Sequence, residues 1–179
     1  MNTLTQINVP TREEVSQESQ VIFDQLKAQM GMVPILYATI GYSGNALGSF
    51  LAFSGNAGKG TFTGKEIEAI KLATSQANNC VYCKSAHTAL AKMNGFSDEE
   101  AVQLRHATIA DEKLNVLTTL AREVATNAGK VSDEVRERFF DIGYDEKALI
   151  DFVSVVISVT FTNYVHGLTQ VEVDFPVVH

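Results

Sequence analysis

The chain is short of several things, and each shortage removes a class of explanation. It has only two cysteines in 179 residues. With no second cysteine pair, a closed four-ligand zinc site built on thiolates has nothing to complete it. It has three prolines, Pro10, Pro34 and Pro176, and none falls in the long middle section, so helices can run there unbroken. It has no basic excess: 14 Lys and Arg stand against 21 Asp and Glu, a net charge of −7, which argues against non-specific nucleic-acid binding. Met1 to Glu14 shows neither a basic n-region nor an apolar h-region, so no secretory signal is visible. The longest apolar run, Phe152 to Phe161, is broken by Ser154, Ser158 and Thr160 and is too short to span a bilayer. These shortages predict a cytoplasmic protein with no membrane partner. In that reducing compartment a cysteine pair is more often catalytic or metal-binding than a staple.

What is present is ordinary globular composition, with 45% apolar and 20% charged residues, and a length that predicts one domain over 1–179 with a substantial core. Helix signals recur along it. Thr11 is an N-cap candidate for a helix to Met30, with Val21, Ile22, Leu26 and Met30 as its apolar stripe and Gly31 as its stop. Short and longer helices are predicted over 34–40 and 45–57. Thr63 can cap a helix to about Asn78, and Cys80 to Met93 is the next. Ser97 and Glu100 form a capping box, and helices over 111–127 and 132–141 follow. The segment from Asp145 to about Gly167 is rich in β-branched residues. Strict alternation nevertheless fails at Val155-Val156-Ile157, while Asp151, Ser154, Ser158 and Thr162 recur at three- and four-residue steps, which predicts a mostly buried helix. The fold class expected is all-α with seven to nine helices. No β-α-β pattern appears, which counts against a thioredoxin fold.

Both cysteines sit in one C-x-x-C, Cys80-Val81-Tyr82-Cys83, and His87 follows the second by four residues. On a helix these three fall within an arc of roughly 60°, with His87 one turn beyond Cys83. Cys80 stands near the helix start, where the positive dipole end lowers a thiol pKa from its usual ~8.5. The pattern points to redox chemistry. Other readings remain open: buried structural thiols beside a core histidine, or a three-ligand zinc site. Covalent haem is excluded, since Lys84 rather than histidine follows Cys83. Glu68 shares a polar arc with Lys71 and Ser75, and by periodicity alone reads as half of a solvated ion pair.

The stretch Glu68-x11-Cys80-x-x-Cys83-x-x-x-His87 resembles the active-site motif of the alkylhydroperoxidase D-like, or carboxymuconolactone decarboxylase-like, superfamily. So do Thr63-Gly64-Lys65-Glu66, Asn78-Asn79 before the cysteines and Asn94-Gly95-Phe96-Ser97 after the helix, a motif core of about 60–108. Asn163 and the ending Glu172-Val173-Asp174-Phe175-Pro176 are similar to the uncharacterised peroxidase-related branch. The resemblance implies an all-helical homo-oligomer (dimer, trimer or hexamer) that reduces hydroperoxides with its own thiols and needs no metal or organic cofactor. Carried over, Cys83 is the attacking thiolate, Cys80 the resolving thiol, His87 the base and Glu68 the continuation of a proton relay. A dithiol such as lipoamide or a thioredoxin-like protein restores the thiols.

One departure stands out. Founding members carry a histidine directly before the second cysteine, where this chain has Tyr82. Tyrosine, with a pKa of ~10, is a poor base near neutrality, although it can donate a hydrogen bond to a thiolate. The decarboxylases that give the superfamily its other name typically lack the cysteine pair. Dithiol–disulfide exchange or redox sensing without efficient peroxide turnover is the competing function. His166 reads as a charge at the end of the last helix or as an interface residue. His106 and His179 belong to no constellation.

Overall fold

Helix starts are written into this sequence as capping residues, and the computed structural model, which describes residues 7–178, uses nearly all of them. Nine α-helices lie among the described residues: α1 (Gln17–Met30), α2 (Ile35–Ile40), α3 (Gly44–Ala57), α4 (Gly64–Ala77), α5 (Val81–Met93), α6 (Asp98–His106), α7 (Glu112–Thr126), α8 (Asp133–Asp141) and α9 (Glu146–Thr169). Thr63 with Glu66 and Ser97 with Glu100 form complete capping boxes on α4 and α6. Asp111, Ser132 and Asp145 cap α7, α8 and α9. The expected first helix differs at its start. Thr11 and Glu14 close a capping box on a single 3₁₀ turn (Arg12–Glu14), Val15 is extended, and Ser16 caps α1 afresh. The box satisfies its own backbone groups within one turn, so nothing forces the helix onward.

α4 lies at the centre and packs against α5, α6, α7 and α9. Its Ala69, Ile70, Leu72 and Ala73 are wholly buried. On one side Ile70 joins Leu117, Leu120, Phe139 and Phe152 in a core shared by α4, α7, α8 and α9. On another, Leu72 packs with Ala91, Phe96 and Leu104 of α5, α6 and their connection. A third cluster gathers Phe23, Leu36, Leu47 and Phe50 around Cys80, Tyr82 and Cys83. Burying each large apolar side chain contributes ~1.5–3 kcal/mol, so the cysteines stand among groups that resist displacement. The backbone comes close at Gly41, where a Cβ would run into the Phe23 ring.

The apolar run near the C-terminus lies within α9, the helix expected from Asp145 to about Gly167. α9 has 24 residues and a mean hydropathy of 1.7 over its most apolar window, enough by length and composition to cross a membrane. The helix simply continues through Ser154, Ser158 and Thr160, because a hydroxyl can bond the carbonyl of its own preceding turn, as Thr160 does to Val156. Here it is a core helix: Phe152, Val155, Val156 and Val159 are buried, and so are the polar Ser158, Thr162, Asn163 and His166.

The N-terminus of α2 is capped from far away in sequence. Its N-cap position is Pro34, which offers no side-chain acceptor. Asp174 Oδ2 accepts from the Ile35 N–H at 2.8 Å, and the Tyr82 hydroxyl accepts from the Leu36 N–H at 3.3 Å. The C-terminal segment 170–178 thereby crosses the bundle and is tied down again where the Val178 N–H donates to Ser85 Oγ at 3.1 Å.

Candidate active site

The connection between α4 and α5 is three residues long and places the first sulfur. Asn78 ends α4, Asn79 takes the left-handed conformation at φ 51°, and Cys80 is extended. Asparagine tolerates that left-handed region better than most residues, which is what the Asn-Asn pair supplies. Asn78 is itself anchored, donating to Asn163 Oδ1 of α9 at 2.8 Å. Cys80 is then the N-cap of α5, and its sulfur accepts the Cys83 backbone N–H at 3.2 Å. Both cysteines are buried and unbridged.

The two sulfurs behave as one unit. The hydrogen bond from Cys83 is the largest influence on the Cys80 thiol. It outweighs burial, and with His166 and the Cys83 backbone N–H it brings the Cys80 thiol down to about 5. The same bond raises the Cys83 thiol, since a proton leaving it would put two negative sulfurs side by side, and burial raises it further. Asn163 and Thr162 pull Cys83 the other way, Thr162 Oγ1 lying 3.8 Å from Cys83 Sγ. The two sulfurs are thus shifted in opposite directions, Cys80 down and Cys83 up.

Glu68 and His87 form the second polar couple. Glu68 Oε2 lies 2.8 Å from His87 Nδ1, and Lys71 Nζ stands 4.0 Å from Glu68 Oε1. Glu68 is 7% exposed, so the solvated ion pair suggested by periodicity is replaced by a buried carboxylate turned toward α5. Burial raises its carboxyl, but the charge and hydrogen bond of His87, with Lys71, hold it below the ordinary value. His87 and Lys71 open onto a cavity of about 30 Å³ that Tyr37, Phe50, Ser54 and Thr162 also line. That is space for one or two water-sized groups. The buried Tyr37 phenol is raised, chiefly by its burial.

The four residues expected at the site are thus gathered at the α4–α5–α9 junction, in two couples. Cys80 accepts from the Cys83 N–H, and Cys83 Sγ lies against Thr162, which lines the chamber. His87, hydrogen-bonded to Glu68, lines the same chamber. Tyr82 does not serve the sulfurs with its hydroxyl, which donates to Asp174 Oδ1 at 2.6 Å. Burial and Asp174 push that phenol well above its usual range. His166 lies in the last turn of α9, as expected, but faces inward and not to solvent. It is 5% exposed, its imidazole is raised chiefly by Cys80 against burial, and its Nε2 lies 3.2 Å from the Val171 carbonyl. A signal existed: the polar steps Ser154, Ser158, Thr162 continue four residues further to His166. Among the described residues no three His, Cys, Asp or Glu side chains group so as to hold a metal ion.

Comparison with known proteins places this geometry. A family model, carboxymuconolactone decarboxylase, matches residues 46–127, which run from α3 through α7 and include Glu68, Cys80, Cys83 and His87. Residues 46–127 belong to the carboxymuconolactone decarboxylase family. His166 and Asp174 lie beyond the family segment. No curated protein matches the chain. Over nearly its full length the chain has the fold of an uncharacterised peroxidase-related protein from Silicibacter sp. TM1040 (TM-score 0.81, 20% identity, 96% of this chain and 95% of that one). It is equally similar to an alkylhydroperoxidase AhpD core protein, again described as peroxidase-related, from Ralstonia eutropha JMP134 (TM-score 0.82, 19% identity, 94% and 92%). The debrominase Bmp8 shares the fold as well (TM-score 0.80, 16% identity, 97% and 94%). The architecture is therefore alkylhydroperoxidase D-like, and proteins of this fold include peroxidase-related ones and a debrominase.

Proposed function

We propose that the protein is a thiol-dependent oxidoreductase that reduces hydroperoxides with the Cys80–Cys83 pair. The observation that carries this reading is the pair itself: two buried sulfurs at one helix start, beside a chamber large enough for a peroxide group that His87, held by Glu68, also lines. Cys83 is the sulfur beside the chamber and the one a peroxide meets first. Its proton moves to Cys80 along the existing hydrogen bond, and its electron pair takes the terminal oxygen. The O–O bond breaks, and His87 or solvent protonates the departing alkoxide to give an alcohol. Cys83 is then a sulfenic acid, and Cys80 displaces its oxygen as water to close the disulfide. Two electrons from two thiols balance the reduction of one peroxide. The Glu68 carboxylate, 2.8 Å from His87 Nδ1, orients the ring for the step.

A dithiol of the lipoamide or thioredoxin-like type reopens the disulfide in this reading, in a cytoplasmic setting. A second copy of the chain covers the exposed stripe Ile150, Val153, Ile157, Phe161, Tyr164 and Leu168 on α9, whose three- and four-residue steps are those of a helix-pairing seam. The experiment is a single turnover on reduced protein. A stoichiometric organic hydroperoxide is added, and free thiols and protein mass are followed in wild type, Cys83→Ser and His87→Ala. Loss of two hydrogens from the wild type, with little or no reaction in the variants, is expected. Unreacted thiols that still exchange with dithiols would instead mark a disulfide-exchange protein. Because debrominase Bmp8 shares the fold, and a cysteine-to-alanine variant of it is known in complex with 2,3,4-tribromopyrrole, that compound belongs in the same assay.

A further inference from the structure

The chamber beside Cys83 is assembled from three parts of the chain. Phe50, Ser54, Lys71 and His87 lie in the family segment, Tyr37 precedes it on α2, and Ser158, Val159 and Thr162 follow it on α9. The polar groups of the chamber divide by where their hydrogens go. Ser158 Oγ donates to the Val155 carbonyl at 2.7 Å, and Thr162 Oγ1 donates to the Val159 carbonyl at 2.8 Å. Both hydroxyls have spent their hydrogen inside α9 and offer the chamber only lone pairs. His87 is held at Nδ1 by Glu68. Tyr37 and Lys71 differ from these. Among the described residues the Tyr37 hydroxyl makes no hydrogen bond, and neither does Lys71 Nζ, whose ion-pair partner Glu68 Oε1 stands 4.0 Å away, the outer limit of such a pair. Ser54 is a third hydroxyl without a partner there, but it turns freely about one bond and fixes no direction.

Both unspent donors are held in place. The Tyr37 ring packs edge-on against Phe50, 5.7 Å between centroids, and Phe50 stacks on Phe161 at 5.0 Å. The helix that carries Tyr37 is fixed at its start by Asp174 and the Tyr82 hydroxyl. Lys71 stands one turn beyond Glu68 on the central helix α4, and its side chain is only 18% exposed. A chamber with room for one or two water-sized groups thus has fixed hydrogen-bond donors beside a nucleophilic sulfur. We propose that Tyr37 and Lys71 are further catalytic residues, which donate hydrogen bonds to the oxygen that leaves the peroxide. The proposal deepens the peroxide-reductase reading and rests on it.

The chemistry of a hydroperoxide matches this division. Its one hydrogen sits on the terminal oxygen, the atom that Cys83 attacks. Thr162 Oγ1, 3.8 Å from Cys83 Sγ, has a lone pair for that hydrogen. The second oxygen has no hydrogen and gains the charge. As the sulfur lone pair forms the S–O bond, both electrons of the O–O bond go to that second oxygen. An ammonium and a phenol aimed at it stabilise the developing alkoxide, and they do so most where water is scarce. Burial raises the Tyr37 phenol, so it keeps its proton and acts by hydrogen bonding. The proton that completes the alcohol still comes from His87 or solvent.

Selectivity among leaving groups tests this, because a merely structural role leaves it unchanged. Reduced protein is mixed in stopped flow with stoichiometric tert-butyl hydroperoxide or peracetic acid, in wild type, Tyr37→Phe, Lys71→Met and Lys71→Arg. tert-Butoxide is a strongly basic leaving group, whereas acetate leaves with little help. Loss of one oxyanion donor typically costs ~100–1,000-fold, and here two donors share the oxygen, so Tyr37→Phe and Lys71→Met should each slow tert-butyl hydroperoxide by about 10- to 100-fold and peracetic acid by less than about threefold. Lys71→Arg keeps charge and donors and should recover most of the rate. Alkylation of the thiols by iodoacetamide forms no alkoxide, and its wild-type rate in each variant reports an intact site. Should Lys71→Met fail that control, Lys71→Gln takes its place with the same expectation. A variant that slows both oxidants alike, or neither, removes its residue from the role and leaves the peroxidase reading standing. Wild-type thiols untouched by either oxidant overturn the peroxidase reading and this proposal with it.

Discussion

Replacing Tyr82 by phenylalanine isolates one oxygen atom that joins three parts of the chain. The hydroxyl donates to Asp174 Oδ1 at 2.6 Å and accepts from the Leu36 N–H at 3.3 Å. The ring is retained, and with it the edge-on packing against Phe175 at 5.6 Å between centroids. Two losses follow. A hydrogen bond to a carboxylate contributes ~1.5–3 kcal/mol, but Asp174 is only half-buried and can turn to water, so about 1 kcal/mol is the reasonable share. The buried Leu36 N–H loses its acceptor at a helix start that has no local cap, which costs ~1–2 kcal/mol. The expected destabilisation is about 2–3 kcal/mol, or a Tm lower by about 5–10 °C for a chain of this size. Thermal melts followed by circular dichroism measure it, and limited proteolysis of segment 170–178 should accelerate in parallel. The thiol chemistry should survive, because the hydroxyl does not touch either sulfur. A Tm within 1 °C of wild type would refute the claim that this oxygen couples the C-terminal segment to α2.

Other substitutions probe the site and the frame separately. Glu68→Gln keeps shape and removes charge, and should slow peroxide-driven disulfide formation by about 100-fold in stopped-flow traces; an unchanged rate would remove Glu68 from the relay. Burial raises the Glu66 carboxyl, but the Thr63 backbone N–H, Tyr144 and Lys113 hold it down at about 2. A carboxyl held below its unfolded value stabilises the fold above that unfolded value and stops doing so as pH falls through the folded one. Melting temperature should therefore drop between about pH 5 and 2, and Glu66→Gln should flatten that drop. Gly41→Ala sets a methyl against the buried Phe23 ring and should cost about 1–3 kcal/mol in urea unfolding; a neutral effect would mean that the ring yields. Ile157→Lys, in the exposed seam of α9, should lower the oligomeric state seen by light scattering, and a wild-type monomer would remove the seam argument altogether.

Much of the local structure was legible in advance because capping is a short-range matter. Thr63, Ser97, Asp111, Ser132 and Asp145 each bond a backbone group three residues on, and each starts a helix as expected. Thr11 shows where such reading fails: its box is real, but one turn satisfies it, and nothing local says whether the next residue continues. The C-x-x-C-x-x-x-H spacing was legible for the same reason, since a helix start fixes the relation of Cys80 to the Cys83 N–H. Glu68 lies 19 residues from His87, and periodicity alone turned it toward solvent; only the packing of α4 on α5 turns it inward.

The sequence by itself determined an all-helical chain and the sulfur pair at a helix N-terminus, because hydrogen bonds within one turn and apolar periodicity need no distant partner. Its resemblance to a known motif singled out the Glu68–His87 couple. The tertiary structure alone decided which environment each sulfur meets. Thr162 meets Cys83 from α9, Asn163 of the same helix anchors Asn78 just before the pair, and Asp174 caps a helix 139 residues earlier in the chain. Those contacts join elements whose relative placement is set by the burial of α4 and α9, a property of the whole core that no local pattern encodes.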